Sequence, residues 1–312
     1  MSNHGKTMYG LALGTLMVLS ASILPAQAQP SVSNPLSLRP PMGLPVVPIF
    51  EGAYENEDGS VSYSFGYLNR NTQEALDIPL GPNNRIEPAQ FDGVQPTHFE
   101  TTRHTGIFTV TVPASMRDGE VWWYVKTDGH EETKVPGRRG RLGYTLDSKP
   151  RPAGSLAPLA SFTAGGPQGK DPMGLMADNT LSVKAGVPVT LTVHTEDPSV
   201  RDLTDPRNKE PIPLRVTWHK HQGPGMISFE KHSSSEEPVP LSDLQIQRGQ
   251  SLPGADQTVL TQGHGIANVI TTFSEPGDYI IRTMIDNWDA SDSSRGDQCC
   301  WTNLYQKVSV TP

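Results

Sequence analysis

Proline and glycine recur along this chain so often that a long helix has no room to develop between them, with 29 of each among 312 residues. Proline removes a backbone donor and clashes with the preceding helical turn, and glycine costs a helix about 1 kcal/mol against alanine. Between these breaks lie short runs in which apolar and polar residues alternate, the period of a strand with one buried face. In 60–68, Val61, Tyr63, Phe65 and Tyr67 share one face while Ser62, Ser64 and Gly66 share the other. Further runs at 107–112, 121–127 and 133–135 are separated by the turn pairs Asp118-Gly119 and Asp128-Gly129. The spacing predicts an all-β chain.

The first 28 residues carry a different signal. Lys6 precedes an apolar run from Leu11 to Leu24, and Ala26-Gln27-Ala28 then forms the small-x-small site that a signal peptidase accepts. Residues 1–28 are expected to be a signal peptide cleaved before Gln29. The run is shorter than the roughly 20 residues of a membrane span, and no other segment is apolar enough, so no stable span is expected after cleavage. The destination is then periplasmic or extracellular. A formal net charge of -8 disfavours nucleic acid, which rewards basic surfaces.

Composition divides the rest. Residues 29–45 read as an extended proline-rich lead-in, 46–147 as a β-sandwich domain, 148–177 as a Pro/Gly/Ala-rich linker and 178–312 as a second sandwich. A polar stretch at 69–103 is longer than a loop in a compact domain usually is, and such loops are functional or partly structured. Trp122 and Tyr124 must face opposite to Trp123 in their strand. With one side in the core, the other is expected to pack between the two domains.

The second domain is more informative. Alternating runs at 187–195, 214–221, 266–273, 279–285 and 304–310, with a tight Gly223-Pro224-Gly225 turn into a further run at 226–229, fit a sandwich of seven strands with Trp218 on the third. The segment Phe273-Ser274-Glu275-Pro276-Gly277-Asp278-Tyr279, followed by Asp286-Asn287, resembles the end of a bacterial PKD or immunoglobulin-like extracellular domain. The resemblance covers about 178–312 and departs from the family in the long insertion 230–265 and in the Cys299-Cys300 pair. It implies an immunoglobulin-like sandwich there, with Tyr279 capping its corner, and the chain as a whole is expected to hold two immunoglobulin-like β-sandwich domains in tandem after a signal peptide. It also implies a binding or scaffolding role toward a protein or carbohydrate partner.

In that topology the loops after the second and sixth strands emerge at one end. Both are acidic: Glu196, Asp197, Asp202 and Asp205 on one, Asp286, Asp289, Asp292 and Asp297 on the other. They form the expected contact surface. Asp286, Asp289 and Asp292 could hold calcium, a hard cation that takes oxygen ligands, against the alternative of a solvated acidic loop; no cofactor is otherwise required. His219 and His221 repeat on one strand face, a spacing that can clamp a transition metal. Because Val216 and Trp218 take the core side, both histidines are expected to face solvent.

No Gly-x-Ser-x-Gly elbow and no His-Glu-x-x-His helix occurs. The reading favoured is a secreted or periplasmic, non-enzymatic binding module; the alternative is a metal-dependent periplasmic enzyme or metal-binding protein. Cys299 and Cys300, the only cysteines, leave three states open in an oxidising compartment. These are a vicinal disulfide, which is favoured, bridges to another chain, and a free pair.

Overall fold

The structure is a computed structural model that describes residues 40–312 apart from 239, 244–246, 248–250 and 297. The signal peptide and most of the lead-in lie outside the described residues. The rest forms two stacked sandwiches, each around its own apolar cluster.

The first module contains β1 (Val46–Glu55), β2 (Val61–Asn69), β3 (Leu76–Asp77), β4 (Asn84–Glu87), β5 (His98–Phe99), β6 (Thr102–Val112), β7 (Val121–Val125), β8 (Thr133–Gly137) and β9 (Thr145–Leu146). One sheet runs β6-β2-β1-β9 and the facing one β4-β7-β8. Tyr63, Phe65, Phe108 and Trp123 fill the space between them, all at most 2% exposed. The alternation of β2 correctly sends its aromatics inward, yet the opposite face is buried too, with Ser62 and Ser64 nearly inaccessible. The second module reaches Ser64 through the Gln298 side chain, while Ser62 bonds Asn56 and Thr111 of its own module. Residues 69–103 are not a bare loop, since they carry β3, β4, a 3-10 turn and β5.

The second module contains β10 (Leu159–Ser161), β11 (Leu175–Lys184), β12 (Val189–Glu196), β13 (Leu214–Gln222), β14 (Ile227–Lys231), β15 (Gln257–Leu260), β16 (His264–Phe273), β17 (Gly277–Asp286) and β18 (Trp301–Thr311). Its sheets run β10-β12-β16-β14 and β11-β18-β17-β13-β15. Those are the two sheet orders of an immunoglobulin-type sandwich, with an extra strand at each edge of the second. Trp218 sits between the sheets at 1% exposure. Tyr279 closes a corner: its hydroxyl donates to the Glu275 carbonyl at 2.9 Å and accepts from the Gly225 amide at 3.0 Å.

Two expectations change here. The segment 148–177 is no free spacer, because β10 pairs with β12 and Ser155, Ala160 and Asp171 are buried. Its small residues fit where a large side chain would not: a side chain at Gly154 would strike the Val200 backbone. Trp122 and Tyr124 do not meet the second module. Their rings lie under Lys134 and Arg85 of their own module, with Arg85 4.0 Å from the centre of Tyr124.

Candidate functional site

Strand register builds a polar floor. In β13 the core takes Leu214, Val216 and Trp218, so Arg215, Thr217, His219 and His221 face the other way. Antiparallel pairing then sets Arg215 beside Asp286 and Asp286 beside Trp301; Thr217 beside Met284 and Met284 beside Asn303; His219 beside Arg282 and Arg282 beside Tyr305. Three rows of polar and aromatic side chains therefore cross the outer face of β13, β17 and β18. Each row alternates with an apolar one that faces the core.

The first module lies on the last of these rows and on the β18 end of the other two. Asn303 Nδ2 donates to the Gly106 carbonyl at 2.8 Å and the Tyr305 hydroxyl to the Ile107 carbonyl at 2.7 Å. Segment 93–97 runs along β13, where Thr97 N donates to the His221 carbonyl and Gln222 Nε2 to the Gln95 carbonyl. Lys220 reaches Asp77 at 3.0 Å. At the far corner the Tyr54 hydroxyl donates to the Gln298 carbonyl and the Ser64 hydroxyl to the Gln298 side chain. Gly106, at φ +56, lies so close to the Trp301 indole that any Cβ would collide with it. Only glycine meets both demands.

This packing overturns the expected exposure of the histidines. His219 and His221 are 8% and 2% exposed, because what the alternation turns away from the core it turns into the first module. His221 meets the Val94 carbonyl at 2.9 Å, and His219 Nδ1 meets Glu100 at 2.9 Å. Neither is set up as a metal clamp. Among the described residues no group of three or more His, Cys, Asp or Glu side chains is arranged to hold a metal ion.

Of the first two rows, Arg215, Thr217, Met284, Asp286 and Trp301 line the floor of a cleft of about 1160 Å³, while Asn303 is covered by the first module. Thr101–Thr105 form one wall, parts of the insertion 231–261 another, and Trp288, Asp289 and Arg295 the end. The charges on its floor are paired. Arg215 holds Asp286 at 2.8 Å and Asp289 at 3.5 Å, and Arg103 is paired to Glu51. Burial opposes ionisation of Glu100, but His219, then His104 and Arg282, outweigh it and hold its carboxyl well below the usual range. Burial raises the Asp286 carboxyl in spite of Arg215. Burial also lowers His104 to about 4 and His221 to about 3. Trp288 meets Trp301 edge to face at 5.8 Å, and Arg215 and Arg295 approach its ring.

The acidic loops do touch, through Ser291 to Asn208 at 2.9 Å and Asn287 to Asp197 at 3.4 Å. Their carboxylates do not converge. Asp197 pairs with buried Arg201, Asp202 caps Thr204, and Asp205 binds Arg207. Asp292 accepts from Ala153 N and the Ser155 hydroxyl. Glu196 ends β12 opposite His264, and Asp297 lies outside the described residues. Asp286, Asp289 and Asp292, the three residues read as a calcium set, thus serve Arg215 and segment 153–155. Of the seven described acidic positions only Asp286 and Asp289 enter the cleft.

Sequence reasoning missed Glu100, Arg282, Trp288, Arg295 and Trp301. One signal was present: Arg282 interrupts the apolar run Tyr279-Ile280-Ile281, and a charge in the middle of a core strand needs a second polar environment.

No known protein family matches the chain, and no curated protein does. Among solved structures, the D00-D0 domain of intimin aligns with 86% of this chain and 100% of its own, at 10% identity and a TM-score of 0.25. A protein of unknown function from Porphyromonas gingivalis W83 aligns with 85% of this chain and 98% of its own, at 9% identity and 0.25. Dpr2 Ig1-Ig2, in complex with DIP-Theta Ig1-Ig3, aligns with 85% and 99%, at 11% identity and 0.21. Scores this low say nothing about function.

Proposed function

We propose that this chain is an exported, non-enzymatic binding module that holds its ligand in the cleft between its two sandwiches. The observation that carries the reading is the cleft floor, where Thr217 and Met284 lie in register beside the row of Arg215, Asp286 and Trp301. A core strand gains nothing from such a face unless something covers it. The first module covers only one end.

Export is supported by the apolar run before Ala26-Gln27-Ala28. No helix among the described residues is long and apolar enough to cross a membrane. A catalytic reading has one observation in its favour, the imidazole of His219 oriented by Glu100 as a general base would be. Its free Nε2 is buried without a partner, where an incoming nucleophile cannot reach it.

The test is ligand-linked stability, since anything that binds only the folded state raises its Tm. A soluble envelope extract of the source cell should raise the Tm of the chain lacking residues 1–28. It should not raise that of Met284→Trp, which fills the floor. Equal Tm values with and without extract would overturn the reading.

A further inference from the structure

Resting on that reading, we infer that the cleft takes a neutral, polyhydroxylated ligand: an oligosaccharide rather than an ionic molecule or a peptide. Three observations carry this. The charges on the floor are already matched within the protein, Arg215 by Asp286 and Asp289, and at the wall beside it Arg103 is matched by Glu51 and Glu100 by His219. An ionic ligand seated on the floor would have to break one of these pairs and leave its partner desolvated, which is costly. A neutral ligand leaves them intact.

The hydrogen-bonding groups offered are of both kinds. Thr217 presents a hydroxyl, Gln257 an amide, Arg215 donors and Asp289 acceptors. A sugar hydroxyl donates one bond and accepts two, so it can match such a mixture at every position. The pairs also fix the planes of these side chains, as when Gln257 Nε2 donates to the Thr217 hydroxyl at 2.9 Å. Preorganised planar groups lose little freedom on binding.

Size and apolar surface complete the match. The cleft, at about 1160 Å³, exceeds the roughly 300–1000 Å³ of pockets that hold single drug-sized molecules, so it has room for several linked rings. Met284 on the floor and the half-buried Trp288 at the end give apolar surface to the C–H faces of such rings. Trp288 also supplies the signal for a test.

The chain lacking residues 1–28 is titrated with neutral tetrasaccharides of glucose, N-acetylglucosamine, mannose and xylose, following tryptophan emission and heat. Tetragalacturonate and tetraglutamate serve as ionic comparators. At least one neutral tetrasaccharide should bind, and Trp288→Ala and Met284→Trp should each weaken it tenfold or more; two substitutions guard against one that fails to fold. The inference is overturned if an ionic comparator binds and no neutral sugar does. It is equally overturned if none binds while an envelope extract still raises the Tm through the cleft, which leaves the binding role standing. If neither sugars nor extract have any effect, the binding role falls as well.

Discussion

His219 Nδ1 lies 2.9 Å from the Glu100 carboxylate, a contact that closes 119 residues of chain and fastens the cleft floor to the first module. Breaking a fully buried pair costs about 3–5 kcal/mol. Glu100, however, keeps 33% of its side chain open, and solvent screening reduces the value. Glu100→Gln is expected to cost about 1–2 kcal/mol in urea unfolding. Combined with His219→Gln it should show a coupling near 1 kcal/mol. Additive losses would mean that the pair contributes nothing to docking.

The same junction sets an acid limit. Burial lowers His104 to about 4 and His221 to about 3, whereas an imidazole of the unfolded chain titrates near 6.5. Between those values the unfolded chain binds protons that the folded chain refuses, so stability falls as pH drops from about 6.5 toward 3. Glu100 and Arg282 face His104, with His219 beside it, and Arg282 and His219 face His221. The depressed carboxyl of Glu100 acts in the same direction, its contribution being lost as pH falls below the usual carboxylate range. Asp286 and Glu51, both raised by burial, oppose the trend. Calorimetry from pH 7.5 to 4 should show a falling Tm below about pH 6.5. His104→Gln with His221→Gln should flatten the slope, and an unchanged slope would place the sensitivity elsewhere.

Trp218→Ala tests how far damage spreads. Removing a fully buried Trp costs roughly 3–5 kcal/mol. A flexible linker would confine that loss to the second module. β13, however, carries Trp218 on one face and the contacts to Glu100, Asp77 and Val94 around it. Calorimetry is therefore expected to show one transition at a lower Tm. Two separated transitions, with the first module melting as before, would show that the modules are only loosely docked.

How much of this was legible in the sequence follows from what alternation measures. A period of two separates the faces of a strand but does not name what each face meets. It placed Trp218 and the aromatics of β2 inside, and Tyr279 at its corner was what the resemblance to an immunoglobulin-like domain implied. It placed His219, His221, Ser62 and Ser64 on the opposite faces correctly. Those faces were then assigned to solvent, although a second module was within reach. The acidic loops misled for a related reason. Charge counted along the chain does not show that Asp286 already has Arg215, from a strand some 70 residues earlier, or that Asp292 serves segment 153–155.

Export makes its own prediction at the amino terminus. Protein isolated from the source cell should begin at Gln29, or at the pyroglutamate formed from it, because Ala26 and Ala28 present small residues to the peptidase after a short apolar run. Intact mass reads this directly. A mass that retains residues 1–28 would remove the support for an exported location.

Cys299 and Cys300 are 2% and 0% exposed, with sulfurs side by side and α-carbons 3.7 Å apart. They stand between Gln298, which takes the Tyr54 and Ser64 hydroxyls, and Trp301, which lies against Gly106. Alkylating the native protein cannot reveal their state, since burial shields a thiol as well as a disulfide. Iodoacetamide should be applied in denaturant, before and after reduction. With the vicinal disulfide expected in an oxidising compartment, no label should enter before reduction and two should enter after it. Two labels before reduction, or a covalent dimer on a non-reducing gel, would refute the bond. Its role follows from the size of the effect. A ring this small restricts little of the unfolded chain, about 1 kcal/mol by the loop-entropy relation. A larger loss in Cys299→Ser with Cys300→Ser would mean that the bond holds Gln298 and Trp301 against the first module. Hydrogen exchange would then rise at Tyr54, Ser64 and Gly106, across the junction; protection unchanged there would confine the pair to the start of β18.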